Sequence, residues 1–145
     1  MSDGKPEKSV FFKPSIDTPY FIDFEWWKEN DSSWRNALIR SMCDEHRDFF
    51  QRQNDGASAV DVIDPETGEV TQRDIIQDIL ANHCAKAENF IQPSGPLTDS
   101  VFRIFLANNN QPMSCRELAN FVNKTPETIL KTLSGPRIYR GIKPY

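Results

Sequence analysis

The chain is 145 residues long, enough for one domain or two small ones sharing a core, and its 38% hydrophobic content includes ten Phe, three Trp and three Tyr as large units for burial. The formal net charge of −4 speaks, as a global figure, against nucleic acid, and no apolar run approaches the length of a transmembrane helix. Three cysteines (Cys43, Cys84, Cys115), odd in number and widely spaced, suit a reducing compartment, and the polar N-terminus lacks the apolar stretch of a signal peptide; a cytoplasmic protein without membrane contact is expected.

Residues 1–9 are polar and predict a disordered tail. Residues 10–30 are dense in aromatics but punctuated by Pro14 and Pro19, which bar a continuous helix; an extended arm is expected, with a short turn at Phe24–Lys28. Phe11, Phe12, Tyr20, Phe21, Phe24, Trp26 and Trp27 are too many to leave in water. Either the arm wraps over its own domain or it docks on a partner subunit. Asp31-Ser32-Ser33 then caps a helix from Trp34 to Arg52 with an apolar stripe of Trp34, Leu38, Met42, Cys43, His46, Phe49 and Phe50, ended by Asn54-Asp55-Gly56. Weak alternation over 60–63, the turn Asp64–Gly68 and the pair Glu69-Val70 predict a small hairpin, with a loop as the alternative. Thr71 with Asp74 has the spacing of a capping box for a helix from Gln72 to Ile91, whose buried face would hold Ile75, Ile76, Ile79, Leu80, His83, Cys84, Ala87, Phe90 and Ile91. The break Gln92–Pro96 is the expected boundary between an arm-plus-helical domain (10–92) and a C-terminal domain (93–145).

Thr98 and Asp99 open a helix carrying Val101, Phe102, Phe105 and Leu106, closed by Asn108–Asn110. Pro112–Ser134 reads as two short helices. Ser114 and Glu117 form a capping box, and Leu118, Ala119 and Val122 share a face. Asn123 lies at the bend, where Asn tolerates a left-handed backbone. Thr125 is a second N-cap with Pro126 in the first turn; Ile129 and Leu133 are the buried face, and Gly135-Pro136 stops the helix. The small Ala119, Asn123 four residues later (where Gly is usual) and Ile129 six further on make this stretch resemble a helix-turn-helix unit. Residues 97–143 are thus similar to the helix-turn-helix and winged-helix superfamily. The expected fold is mainly α with minor β: an N-terminal helical part with an aromatic arm, plus a C-terminal helix-turn-helix of reduced winged-helix form.

The resemblance implies DNA binding through the second helix, lying in the major groove. Two strands and their loop follow that helix in winged-helix proteins, and the eleven residues after Ser134 are short for this. The tail Arg137–Lys143, with Ile138, Tyr139 and Ile142, is expected either to pair as one strand with the segment around Pro112-Met113 and present a basic arm, or to cover the core with its charges solvated. Residues 93–145 carry seven cations against Asp99, Glu117 and Glu127, a net +4, leaving −8 for residues 1–92. The candidate nucleic-acid contacts are Thr125, Thr128, Lys131, Ser134, Arg137, Arg140 and Lys143. The second helix offers no Arg, Asn or Gln for bidentate base reading, so weak specificity and a dimer or larger complex are expected. The function implied is a DNA-binding regulatory or accessory protein, such as a transcription regulator, with residues 10–92 serving dimerisation or recruitment of a protein partner. The alternative is a non-catalytic adaptor whose winged-helix-like unit contacts protein or protein-bound RNA.

Cys43, His46, His83 and Cys84 raise a third reading, a structural zinc site, if two helices bring them together. Adjacent residues on a helix point about 100° apart, however, and all four lie on stripes that core packing explains. Buried thiols and hydrogen-bonded histidines, with no metal and no cofactor, are therefore the expectation. No serine nucleophile elbow, phosphate-binding glycine loop or paired-histidine motif is present. A mid-helix Cys43 beside His46 would be inert, so no enzyme is expected.

Overall fold

The computed structural model describes residues 13–52 and 59–145. The expected tail at 1–9, the first arm residues (with Phe11 and Phe12) and the helix stop Asn54-Asp55-Gly56 lie outside the described residues. The described chain is mainly helical with a small three-stranded antiparallel sheet and a separate two-stranded one. It divides into two units: residues up to Asp31 together with Ile91–Tyr145, and Ser32–Phe90. The arm therefore belongs with the C-terminal half, not with the helical part to which its position in the chain had joined it. Among the described residues no helix is long and apolar enough to cross a membrane.

In the first unit, Pro19–Ile22 forms strand β1 and Phe24–Asn30 forms helix α1. Asp23 separates them, its carboxylate accepting from Trp26 N as an N-cap. The Phe24–Lys28 turn expected from the sequence is thus a two-turn helix. The remaining elements are α5 (Leu97–Ala107), β4 (Met113–Ser114), α6 (Cys115–Leu118), α7 (Pro126–Leu133) and β5 (Ile142–Pro144). The sheet order is β4-β1-β5, with Tyr20 opposite both Met113 and Pro144, and Ile22 opposite Ile142. The tail does supply one strand, but it pairs with β1 and not with the Pro112-Met113 segment. β1 lies between the two.

β4 is too short to reach Ile22, and Asn110 completes that edge. Its side chain accepts from Ile22 N and donates to Ile22 O, both at 2.8 Å. Asn109 and Asn110 adopt φ of 60° and 58°, a left-handed bend that Asn tolerates and that turns Asn110 onto the strand. Tyr20, Ile22 and Trp27 are buried with Phe102, Phe105, Leu118, Ile129 and Ile142, so the arm packs on its own unit.

The phenol oxygen of the fully buried Tyr20 has no hydrogen-bond partner among the described residues, and burial pushes its pKa from 10 up to about 12. The folded state holds this proton more tightly than the unfolded state. Stability is therefore present below pH 10 and is lost as pH rises from 10 to 12. Tyr20→Phe removes both an unpaired buried hydroxyl and that alkaline loss. Thermal melts should show the variant no less stable than wild type at neutral pH and relatively more stable above pH 10. A clear loss at neutral pH would mean that the hydroxyl is satisfied.

The second unit contains α2 (Trp34–Arg40), α3 (Asp44–Gln51), the hairpin β2 (Ala59–Ile63) and β3 (Val70–Asp74), α4 (Ile75–Asn82) and a 3-10 turn at Cys84–Lys86. The hairpin turn is held by Asp64, whose carboxylate accepts from Glu66 N at 2.8 Å, and by Gly68 at φ +75°. Two sequence-based helices are each broken. The expected helix 34–52 stops at Ser41, whose hydroxyl donates back to Ala37 O, and restarts after an extended Cys43 (φ −65°, ψ 162°). The helix expected from Gln72 begins only at Ile75, because Thr71–Asp74 pairs in β3, so Thr71 does not stand at the helix start. It ends at Asn82, and His83 leaves the helix with φ −129° and ψ −65°.

Candidate functional site

The local chemistry of the Pro112–Ser134 segment follows its caps. Ser114 Oγ accepts from Glu117 N at 3.2 Å while Glu117 Oε1 accepts from Ser114 N at 3.0 Å, a complete capping box. Thr125 Oγ1 accepts from Thr128 N, with Pro126 at the start of α7. Ile129 and Leu133 are buried. α6 itself is a single turn, and the chain from 119 to 124 reaches α7 through turns. Asn123 is not left-handed. It holds the bend instead by donating from its backbone N to Pro93 O (3.2 Å) and from its side chain to Ser94 Oγ (2.7 Å).

The seven candidate contacts separate into two groups. Thr125, Thr128, Lys131, Ser134 and Arg137 are exposed, Thr125 as the N-cap of α7 and the others on the helix or shortly after it. Arg140 and Lys143 are half-buried and engaged inside the unit. Arg140 lies 3.4 Å from Asp99 and stacks 4.7 Å over the Phe102 ring and 4.9 Å over Tyr139. Lys143 lies 3.4 Å from Asp23 and 5.4 Å over the Trp26 ring. Arg103 pairs with Asp99 as well, and Arg116 forms a two-pronged contact with Asp17 of the arm, whose carboxyl it holds below the usual range. Lys124, Lys131 and Arg137 are exposed and have no ion-pair partner among the described residues. Lys124 was not among the residues singled out from the sequence; its place just ahead of the Thr125 cap could have drawn attention to it.

Charge is redistributed by the fold. Residues 1–31 hold four lysines against seven carboxylates, so joining the arm to the C-terminal half cuts that half's excess from +4 to +1. Of the seven cations in residues 93–145, the three left over lie at the two ends and along the outer face of α7, where Glu127 is the helix's one acid.

The second unit brings together residues that the sequence reading had kept apart. Cys43 is the N-cap of α3 and His46 lies in that helix's first turn, so one turn aims both at the same point. Cys43 Sγ and His46 Nδ1 are 3.1 Å apart, Cys84 Sγ and Cys43 Sγ 3.5 Å, Cys84 Sγ and His46 Nδ1 3.7 Å, and Cys43 Sγ and His83 Nδ1 3.9 Å. All four ligand atoms lie within 4.8 Å of one another. The argument from 100° spacing fails because His83 and Cys84 do not share a helix. Burial pushes the Cys84 thiol up to about 11, and the isolated Cys115 thiol, buried in the first unit, to about 11 as well.

No protein-family model, curated protein or solved structure matches this chain.

Proposed function

We propose that this protein is a DNA-binding regulatory or accessory protein of the cytoplasm that contacts duplex phosphates through the outer face of α7. The observation that carries the reading is the survival of Lys124, Lys131 and Arg137 as exposed, uncommitted cations around one capped helix, while Arg116, Arg140 and Lys143 are tied down by the arm and α5. Element order supports it: α5, β4, α6, α7 and β5 follow one another as in a reduced winged helix, with β1 taking the remaining place in its sheet. Thr125 and Thr128 are bonded to each other through their hydroxyls, so they serve the cap first and reach phosphate only through their remaining capacity. Arg140 and Lys143 leave the interface under this reading, and Lys124 enters it.

The test is binding of a labelled duplex to the full chain across a range of salt. Binding should weaken steeply with salt, and Lys124→Ala, Lys131→Ala and Arg137→Ala should each reduce the log–log slope by about one unit. Binding that does not respond to salt, or slopes unchanged in all three variants, would sink the reading. The adaptor reading has its own support in Phe121 (46% exposed) and Ile138 (38%), large apolar residues on the segments that enter and leave α7.

A further inference from the structure

We propose that Cys43, His46, His83 and Cys84 bind a single tetrahedral zinc ion through two thiolates and two imidazole Nδ1 atoms, forming a structural site that fastens the α2–α3 junction to the end of α4. A tetrahedral ion with metal–sulfur bonds of about 2.3 Å and metal–nitrogen bonds of about 2.0–2.1 Å holds its ligand atoms roughly 3.3–3.8 Å apart. Four of the six separations, 3.1, 3.5, 3.7 and 3.9 Å, bracket that range, and all six are within 4.8 Å, so a modest inward movement at the exposed His83 corner closes the site. The two imidazole rings stand at 85° with centroids 4.7 Å apart, so they approach the centre from different directions, as two corners of a tetrahedron must.

Core packing does not account for this arrangement. An apolar stripe would bury ring carbons and turn ring nitrogens toward water, whereas here the nitrogen of each histidine faces a sulfur. Both chain breaks of the second unit serve the cluster as well. The interruption at 41–43 puts Cys43 at a helix start with His46 one turn on, and the departure of His83 from helical geometry lets two adjacent residues converge.

The donor set decides the metal class. Two thiolates and two imidazoles favour zinc over magnesium or calcium, which take oxygen ligands. Four protein ligands leave no open position for a water, so the site is structural and not catalytic. The unit has reason to use such a clasp. It spans roughly 60 residues, a size at which an apolar core alone is marginal and metals commonly supply the missing stability. Cys84 is buried, Cys43 and His46 are half-buried and His83 is exposed, so the ion enters from the His83 side and each thiol gives up its proton to solvent as it binds.

Metal analysis of the full-length protein, purified under reducing conditions without chelator, tests the proposal. It should find one equivalent of zinc per chain. Replacement by cobalt should give tetrahedral d–d absorption and a thiolate-to-cobalt charge-transfer band. Cys43→Ser and His46→Asn should each lower metal affinity by at least about tenfold. Because those variants could fail to fold for other reasons, His83→Cys provides a second arm: it replaces the imidazole at the exposed corner by a third thiolate and keeps four ligands in all, so it should retain the metal and strengthen the charge-transfer band. A wild-type protein without stoichiometric metal, a Cys43–Cys84 disulfide in its place under reducing conditions, or a cobalt spectrum that His83→Cys leaves unchanged would each overturn the site.

Discussion

Trp27→Ala is expected to destabilise the first unit by about 3–5 kcal/mol, the range for truncating a large buried aromatic. The indole is 1% exposed and meets the Phe102 ring edge-on at 5.4 Å and 78°, with Phe24 at 6.1 Å. Its Nε1 donates to Asp31 Oδ2 at 3.0 Å, which also closes the C-terminal end of α1. Phe102 in turn carries the Arg140 guanidinium, so the loss of Trp27 loosens a chain of contacts from the arm through α5 to the tail. Denaturant unfolding followed by near-ultraviolet circular dichroism measures the cost. Amide exchange should show lost protection at β1, β5 and α5. Trp27→Phe, which keeps an aromatic edge but not the indole hydrogen bond, should recover part of the loss. This experiment also decides between the two fates the sequence left open for the arm. If the aromatics served a partner subunit, truncating Trp27 would change association and leave the stability of the isolated chain almost untouched.

Features set by neighbouring residues were legible in the sequence. The Ser114–Glu117 capping box, the Thr125-Pro126 cap, the buried pair Ile129 and Leu133 and the turn at Asp64–Gly68 depend on residues within a few positions of one another, and each is formed. The place of β1 depended on pairing with strands about 90 and 120 residues away, and nothing local in Pro19–Ile22 announces that register. The two helix breaks were hidden for a different reason. The stripes from Trp34 to Phe50 and from Ile75 to Phe90 run across the interruptions, and Leu38, Met42, Phe50, Ile76, Leu80, Cys84 and Phe90 are still buried, whereas Phe49, His83 and Ala87, placed inside by the same period, are exposed because the chain leaves the helix near them. Ser41, followed shortly by the acid pair Asp44-Glu45, was the available sign of a stop and a new start. The objection to the Cys–His cluster rested on the other break: His83 and Cys84 were placed on one helix, whereas that helix ends at Asn82 and lets the two converge.

The same long-range pairing alters the electrostatic argument. A +4 half and a −8 half are properties of the chain order, whereas the field a duplex would meet belongs to the folded unit. There Asp17 and Asp23 of the arm take up Arg116 and Lys143, and Asp99 takes up Arg103 and Arg140. Of the seven C-terminal cations, what remains uncommitted is a local feature, three cations around α7, and a contact of duplex phosphates through them would depend steeply on salt.

Gly141→Ala should cost about 2–4 kcal/mol and lower the melting temperature by on the order of 10 °C. Gly141 sits at φ +75°, in the left-handed region, directly after Arg140 at φ 48°. Two successive left-handed residues bend the tail back so that Gly141 O accepts from Asp23 N at 2.8 Å and β5 can join β1. An added Cβ would lie 2.8 Å from Asp23 O and 2.8 Å from Trp27 Cβ, and the first of these is backbone that cannot rotate away. Arg140 tolerates its own strained backbone because Phe102, Tyr139 and Asp99 hold its side chain; Gly141 has no side chain to hold and no room for one. Detachment of the tail would also free Arg140 and Lys143 from Asp99 and Asp23. The variant should therefore become less stable while gaining uncommitted positive charge, which would steepen the salt dependence of any duplex binding. Unchanged stability would show that the tail does not need this bend to pair with β1. Lower stability with an unaltered salt slope would show that the two released cations do not reach the duplex even when they are free.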